Sequence, residues 1–113
     1  MSCQTVNLET GMPTVEAARA RMSQALRMAR AGRVKVVKLI HGYGSSGSGG
    51  RIKADVQLQL ARKKQAGEIR EYVKGEDFSA FSPAARRILD ACPEMARDRD
   101  YARANHGVTV VLL

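Results

Sequence analysis

The stretch that decides the fold runs Val34-Lys35-Val36-Val37-Lys38-Leu39-Ile40-His41-Gly42-Tyr43-Gly44-Ser45-Ser46-Gly47-Ser48-Gly49-Gly50-Arg51. Its first part, Val34 to Ile40, is a β-branched, nearly continuous apolar run broken only by Lys35 and Lys38, and predicts a buried central strand. Its second part holds five of the chain's ten glycines within residues 42–50. A plain strand-to-helix connection takes about 2–6 residues, so this glycine and serine loop is a feature in its own right. Beyond it, Ile52, Val56 and Leu60 recur at four-residue spacing, with Leu58 and Ala61 beside them. That spacing predicts a helix from Arg51 to Gln65, closed by Gly67.

The flanks extend the same alternation. Thr5 to Leu8 predicts a short strand, followed by a turn at Gly11 to Thr14. Thr14 is placed to N-cap a helix whose inner face is Val15, Ala18, Met22, Ala25, Leu26 and Ala29, with Gly32 as its stop. Glu68 to Lys74 predicts a third strand. Ser82 followed by Pro83 marks the start of a short helix to Cys92, halted at Pro93. Asp98, Arg99 and Asp100 fall in a further short helix or turn. Phe78 and Phe81 are expected to anchor the segment 75–105 to the rest. Met22 is expected in the core, Met28 at its flank, and His106 in a structural role. Val108 to Leu113 predicts the last strand. The order is β-α-β-α-β, an inserted segment, then β, and strand-helix-strand units predict parallel neighbours.

Charge is distributed unevenly. The chain has 113 residues, 19 Lys and Arg, 11 Asp and Glu, and a net charge of +8. Residues 1–75 hold fourteen cations and five acids; residues 76–113 hold five and six. The excess fits either a solvated surface or a polyanion-binding face. No apolar run is long enough for a membrane span, and no leader pattern opens the chain. Cys3 and Cys92 form neither a disulfide framework nor a metal-ligand spacing, so a reducing cytoplasm is the expected compartment and no cofactor or metal is indicated.

The loop itself points to phosphate. Gly42 to Gly47 spells G-x-G-x-x-G between a strand and a helix. The acidic residue of a dinucleotide fold is missing, because Glu68 opens the next strand instead of ending it. A Walker A loop is excluded, since Ser48 and Gly49 follow Gly47. What remains is general: glycines expose backbone N–H groups, and the next helix presents its positive end. Ser45, Ser46 and Ser48 add hydroxyl donors, and Arg51 and Lys53 add charge. Tyr43 is placed to stack on a base.

His41-Gly42-Tyr43-Gly44, with the glycines that follow, resembles the H-G-x-G motif of Smr (small MutS-related) domains. Gly107-Val108-Thr109-Val110-Val111 is similar to the run that introduces the family's last strand. The resemblance covers residues 5–74 and 105–113, within one domain of residues 1–113 carrying a helical insertion at about 75–105. It implies a two-layer α/β sandwich with a four-stranded mixed sheet, like the C-terminal domain of translation initiation factor three. It also implies nucleic-acid binding, RNA or DNA, with phosphates held by His41, Gly42, Tyr43, Gly44, Ser45, Ser46, Gly47, Gly49, Gly50, Arg51 and Lys53. Some members are endonucleases, which would assign catalysis to His41 and Glu9. The family's Leu-Asp-x-His-Gly motif is altered here: Asn7 stands for the aspartate and cannot act as a base, and Glu9 stands near the histidine position. An interaction module without chemistry and a small nucleotide-binding module stay open beside these readings. The sequence does not fix the oligomeric state.

Overall fold

The computed structural model describes residues 3–43 and 49–113. Four strands, β1 (Cys3–Asn7), β2 (Val36–Ile40), β3 (Glu71–Lys74) and β4 (Val108–Leu112), form one sheet in the order β1-β2-β4-β3. β1 lies parallel to β2, while β4 is antiparallel to both β2 and β3, so the sheet is mixed. Three helices accompany it: α1 (Val15–Ala31), α2 (Gly49–Gln65) and α3 (Pro83–Ala91). Short 3-10 turns occupy Gly75–Asp77 and Pro93–Arg97. No described helix is long and apolar enough to cross a membrane. No disulfide joins Cys3 and Cys92.

The first two strand-helix units form as their patterns require. Thr14 Oγ1 accepts a hydrogen bond from Ala17 N at 3.1 Å, capping α1. Ala18, Met22, Leu26 and Ala29 of α1 pack with Ile52, Val56 and Leu60 of α2 over Val37, Leu39 and Val111 of the sheet. Full burial of a side chain such as Met22 or Leu60 contributes about 1.5–3 kcal/mol. β2 and β3 are not neighbours, because β4 lies between them. All five residues of β4 are buried, Thr109 among them, as suits a strand with both faces covered.

The opposite face of the sheet is closed by residues from the 75–105 segment. Ser82 Oγ caps α3 by accepting from Ala85 N at 3.2 Å, with Pro83 in the first turn. Phe78, Ala85, Ile88, Cys92 and Met95 pack against Val36, Val73, Val110 and Leu112. Phe78 is the anchor expected, with Tyr101 edge-on at 5.2 Å. Phe81 is not an anchor: it is 93% exposed at the turn before α3.

Several boundaries shift for identifiable reasons. β1 covers Cys3–Asn7, although Leu8 N still bonds Ile40 O at 2.8 Å. β3 begins at Glu71 because Glu68 N turns back to Lys63 O at 2.8 Å and Ile69 enters the helical layer. α2 begins at Gly49, two residues before the expected start. Asp98 to Asp100 fall in a turn, one of the two forms expected, after a 3-10 turn at Pro93–Arg97, and Asp98 and Asp100 neutralise a buried lysine.

Candidate functional site

The site forms where β2 leaves the sheet. His41 N and Gly42 N both donate to Gly107 O, at 2.9 and 3.1 Å, so the first residues of the loop are held against the start of β4. The His41 side chain is fully buried. Its Nδ1 lies 2.6 Å from Gly42 O and its Nε2 lies 2.8 Å from Thr109 Oγ1. A carbonyl can only accept, so Nδ1 carries the proton and Nε2 accepts from the Thr109 hydroxyl. Burial pushes the imidazole below its ordinary value of 6.5, and the Lys53 charge acts the same way against Gly42 O, Glu76 and Glu9. The ring is therefore neutral at pH 7, and it braces the loop from inside. The Gly107 to Val111 run acquires a physical meaning here: Thr109 orients His41, and Val111 is core.

Two glycines allow the close approach. Gly42 has φ +72°, and a Cβ there would collide with the Glu9 carboxylate. A Cβ on Gly107 would press on Asn105 Oδ1 at 3.2 Å and touch the Tyr43 ring and Gly42 Cα at ordinary contact distance. Tyr43 is 63% exposed, with His106 edge-on at 6.3 Å. His106 thus borders the site, which its position before the last strand did not disclose.

The β1 end supplies the facing wall. Asn7 Oδ1 accepts from Glu9 N at 2.9 Å, which turns the chain. Arg21 from α1 donates to Leu8 O and Thr10 O at 3.2 and 3.0 Å and fixes that turn. Glu9 is exposed and lies over Gly42. Asn7 thus acts as a turn-forming residue.

On the α2 side, the first turn contains no acidic residue. Arg51 is exposed and has no carboxylate partner among the described residues. Lys53 is paired with Glu76 at 3.0 Å, and Glu76 also faces His106 Nδ1 at 3.6 Å. Gly49 and Gly50 open the helix. Gly44, Ser45, Ser46 and Gly47, together with Ser48, lie outside the described residues.

A cleft of about 460 Å³ opens beside these groups, lined by Thr5, Glu9, Lys38, Tyr43, Arg99 and Asn105 among others. Its floor holds a charge cluster that the sequence reading missed. Lys38 Nζ bonds Asp98 Oδ1 at 3.0 Å and Asp100 Oδ2 at 2.7 Å, and Asn105 Nδ2 donates to Asp100 Oδ1 at 2.9 Å. Burial alone would lower the Lys38 ammonium, but Asp100 and Asp98 outweigh it and hold it above its ordinary range. The available signal was a lysine inside an apolar run, paired with the Asp-Arg-Asp stretch. Among the described residues, no group of three or more His, Cys, Asp or Glu could hold a metal ion.

Known proteins place this geometry. The Smr domain family matches residues 10–77, which include α1, β2, the loop, α2 and β3. The fold is similar to the crystal structure of the Smr domain of Thermus thermophilus MutS2, with a TM-score of 0.57 and 23% identity, over 100% of this chain and 98% of that one. No curated protein sequence matches the chain. With more than half of its residues matched, and with the strand order and the His41–Gly42 junction in place, the chain belongs to the Smr domain family.

Proposed function

We propose that this Smr domain binds nucleic acid by receiving backbone phosphates at the start of α2, through the glycine loop that His41 braces. The observation that carries the reading is the junction itself. A buried, neutral histidine holds Gly42 against β4, and α2 begins at Gly49 with a first turn that has no acid and an Arg51 without a carboxylate partner among the described residues. Free N–H groups and the positive helix end favour an anion there. Tyr43, exposed beside the loop, offers a stacking surface for a base. In this reading His41 acts through the loop, and Gly42 to Gly50 with Arg51 make the contacts. Lys53 joins them when a phosphate competes with Glu76.

Fluorescence anisotropy with structured RNA and branched DNA tests this. Binding should weaken as salt rises, with a slope of about −0.9 per phosphate neutralised on a duplex. Arg51→Glu should weaken it at least several-fold without changing the fold. Equal binding by that variant at every salt concentration would refute the phosphate assignment.

A second reading, endonuclease activity, is favoured by one specific placement. Glu9 lies over Gly42 on the cleft and is the carboxylate nearest the loop's start, where a general base would stand. Purified protein should then cleave RNA or nick DNA, and Glu9→Gln should abolish the cleavage while leaving binding intact. Cleavage undiminished in Glu9→Gln would remove Glu9 from the chemistry.

A further inference from the structure

The far end of the sheet carries a second concentration of charge. α1 and α2 both begin at the His41 end and finish at the end where β2 starts and β4 stops. There, Leu113 N bonds Lys35 O at 2.8 Å and Arg70 N bonds Leu112 O at 2.8 Å, which brings the start of β2 and the approach to β3 together. Arg27, Arg30 and Lys63 line a small groove between the two helices, closed by Ile69 and Leu113. Arg33, Lys35 and Arg70 lie at the same end, and all but the half-buried Lys63 are exposed.

These six cations have no salt-bridge partner among the described residues, and the groove contains a single carboxylate, Glu68. The nearest acid in β3, Glu71, is already bonded to Lys64 at 2.8 Å and to Arg87 at 3.0 Å. Helix dipoles account for only part of the charge. Two helix C-termini present roughly one elementary negative charge together, and with Glu68 and with Asp90 beside Arg70 they still fall short of the six cations. The backbone at this end has one unusual conformation. Gly32 takes an ordinary φ of −84°, while Arg33 takes φ +60°, the left-handed region that glycine fills without cost.

We infer that this end is a second phosphate-contact surface, which grips the backbone of the same nucleic acid that the loop engages. The inference rests on the function proposed above. Six residue steps separate Lys35 from His41, roughly 20 Å at about 3.3 Å each. On a duplex that distance spans about six base pairs at roughly 3.4 Å per phosphate along one strand. The two ends together would select a continuous backbone over a mononucleotide, and long substrates over short ones.

The test uses the full chain, duplex RNA and duplex DNA of about 20 base pairs, and a salt series. Arg27→Glu/Arg30→Glu/Lys63→Glu should weaken binding at least tenfold and lower the salt slope by about 2–3. Arg27→Gln/Arg30→Gln/Lys63→Gln, which keeps good helix formers, should show a smaller loss in the same direction, with an unchanged circular dichroism spectrum. If wild type binds, Arg51→Glu weakens it, and both triple variants bind as wild type with the same slope, the far-end surface is refuted and the loop reading stands. A wild type that binds neither duplex at low salt overturns both.

Discussion

The two faces of the sheet are built by different means. One face is covered by α1 and α2, whose apolar side chains recur at helical spacing and fill a continuous aliphatic core. The other is covered by α3 and short 3-10 turns, and part of it is a cleft lined by Lys38 and Asp100, with Asp98 bonded to the same lysine. The first face is held by apolar burial together with one ion pair between its helices, Arg19 to Asp55 at 2.8 Å. The second adds to its own apolar cluster a buried charge cluster whose members come from distant parts of the chain. A strand residue on β2 therefore meets hydrocarbon on one side, as Leu39 does, and carboxylates on the other, as Lys38 does.

The strongest test of that contrast is Lys38→Ala. Removing the cation leaves two carboxylates close together and partly buried, which should cost about 3–5 kcal/mol in chemical denaturation. A cost below about 1 kcal/mol would mean that the cluster behaves as a solvated surface pair. On the helical face, Met22→Ala should cost about 2–5 kcal/mol by transfer and cavity terms, with no dependence on salt. The α3 cap should count for less: Ser82→Ala is expected to lose about 1 kcal/mol. Phe81→Ser should change stability by less than about 0.5 kcal/mol, since its ring packs on nothing.

The mildest perturbation needs no substitution. His41 resists protonation when folded, so its contribution is fully present above 6.5 and is lost as pH falls below that value through the folded-state pKa. An NMR titration should find the His41 imidazole midpoint below 6.5. A midpoint at or above it would contradict the buried, neutral ring.

The same contrast explains what could be read from the chain. The helical face was legible because Met22, Leu26, Val56 and Leu60 repeat at the helix period, and a period is a local property. The caps at Thr14 and Ser82 were legible for the same reason, since each acts within three residues. The His-Gly loop was legible as a motif, but the partners of its histidine were not. Thr109 and Gly107 are more than sixty residues away, and only the β2–β4 register brings them to His41. The Lys38 cluster was hidden likewise, because Asp98 and Asp100 looked like ordinary surface charge. The two phenylalanines show the limit of composition: three residues apart, Phe78 is core and Phe81 is exposed.

The central claim is that nucleic acid meets this domain at the loop that His41 braces. Titration of a 15N-labelled chain with a short RNA or DNA duplex, followed by backbone amide shifts, tests it most directly. The account predicts the largest, salt-sensitive shifts at Gly42, Tyr43 and Gly49 to Lys53, with no change in fold. Binding that leaves those amides unmoved while perturbing other surfaces would contradict it.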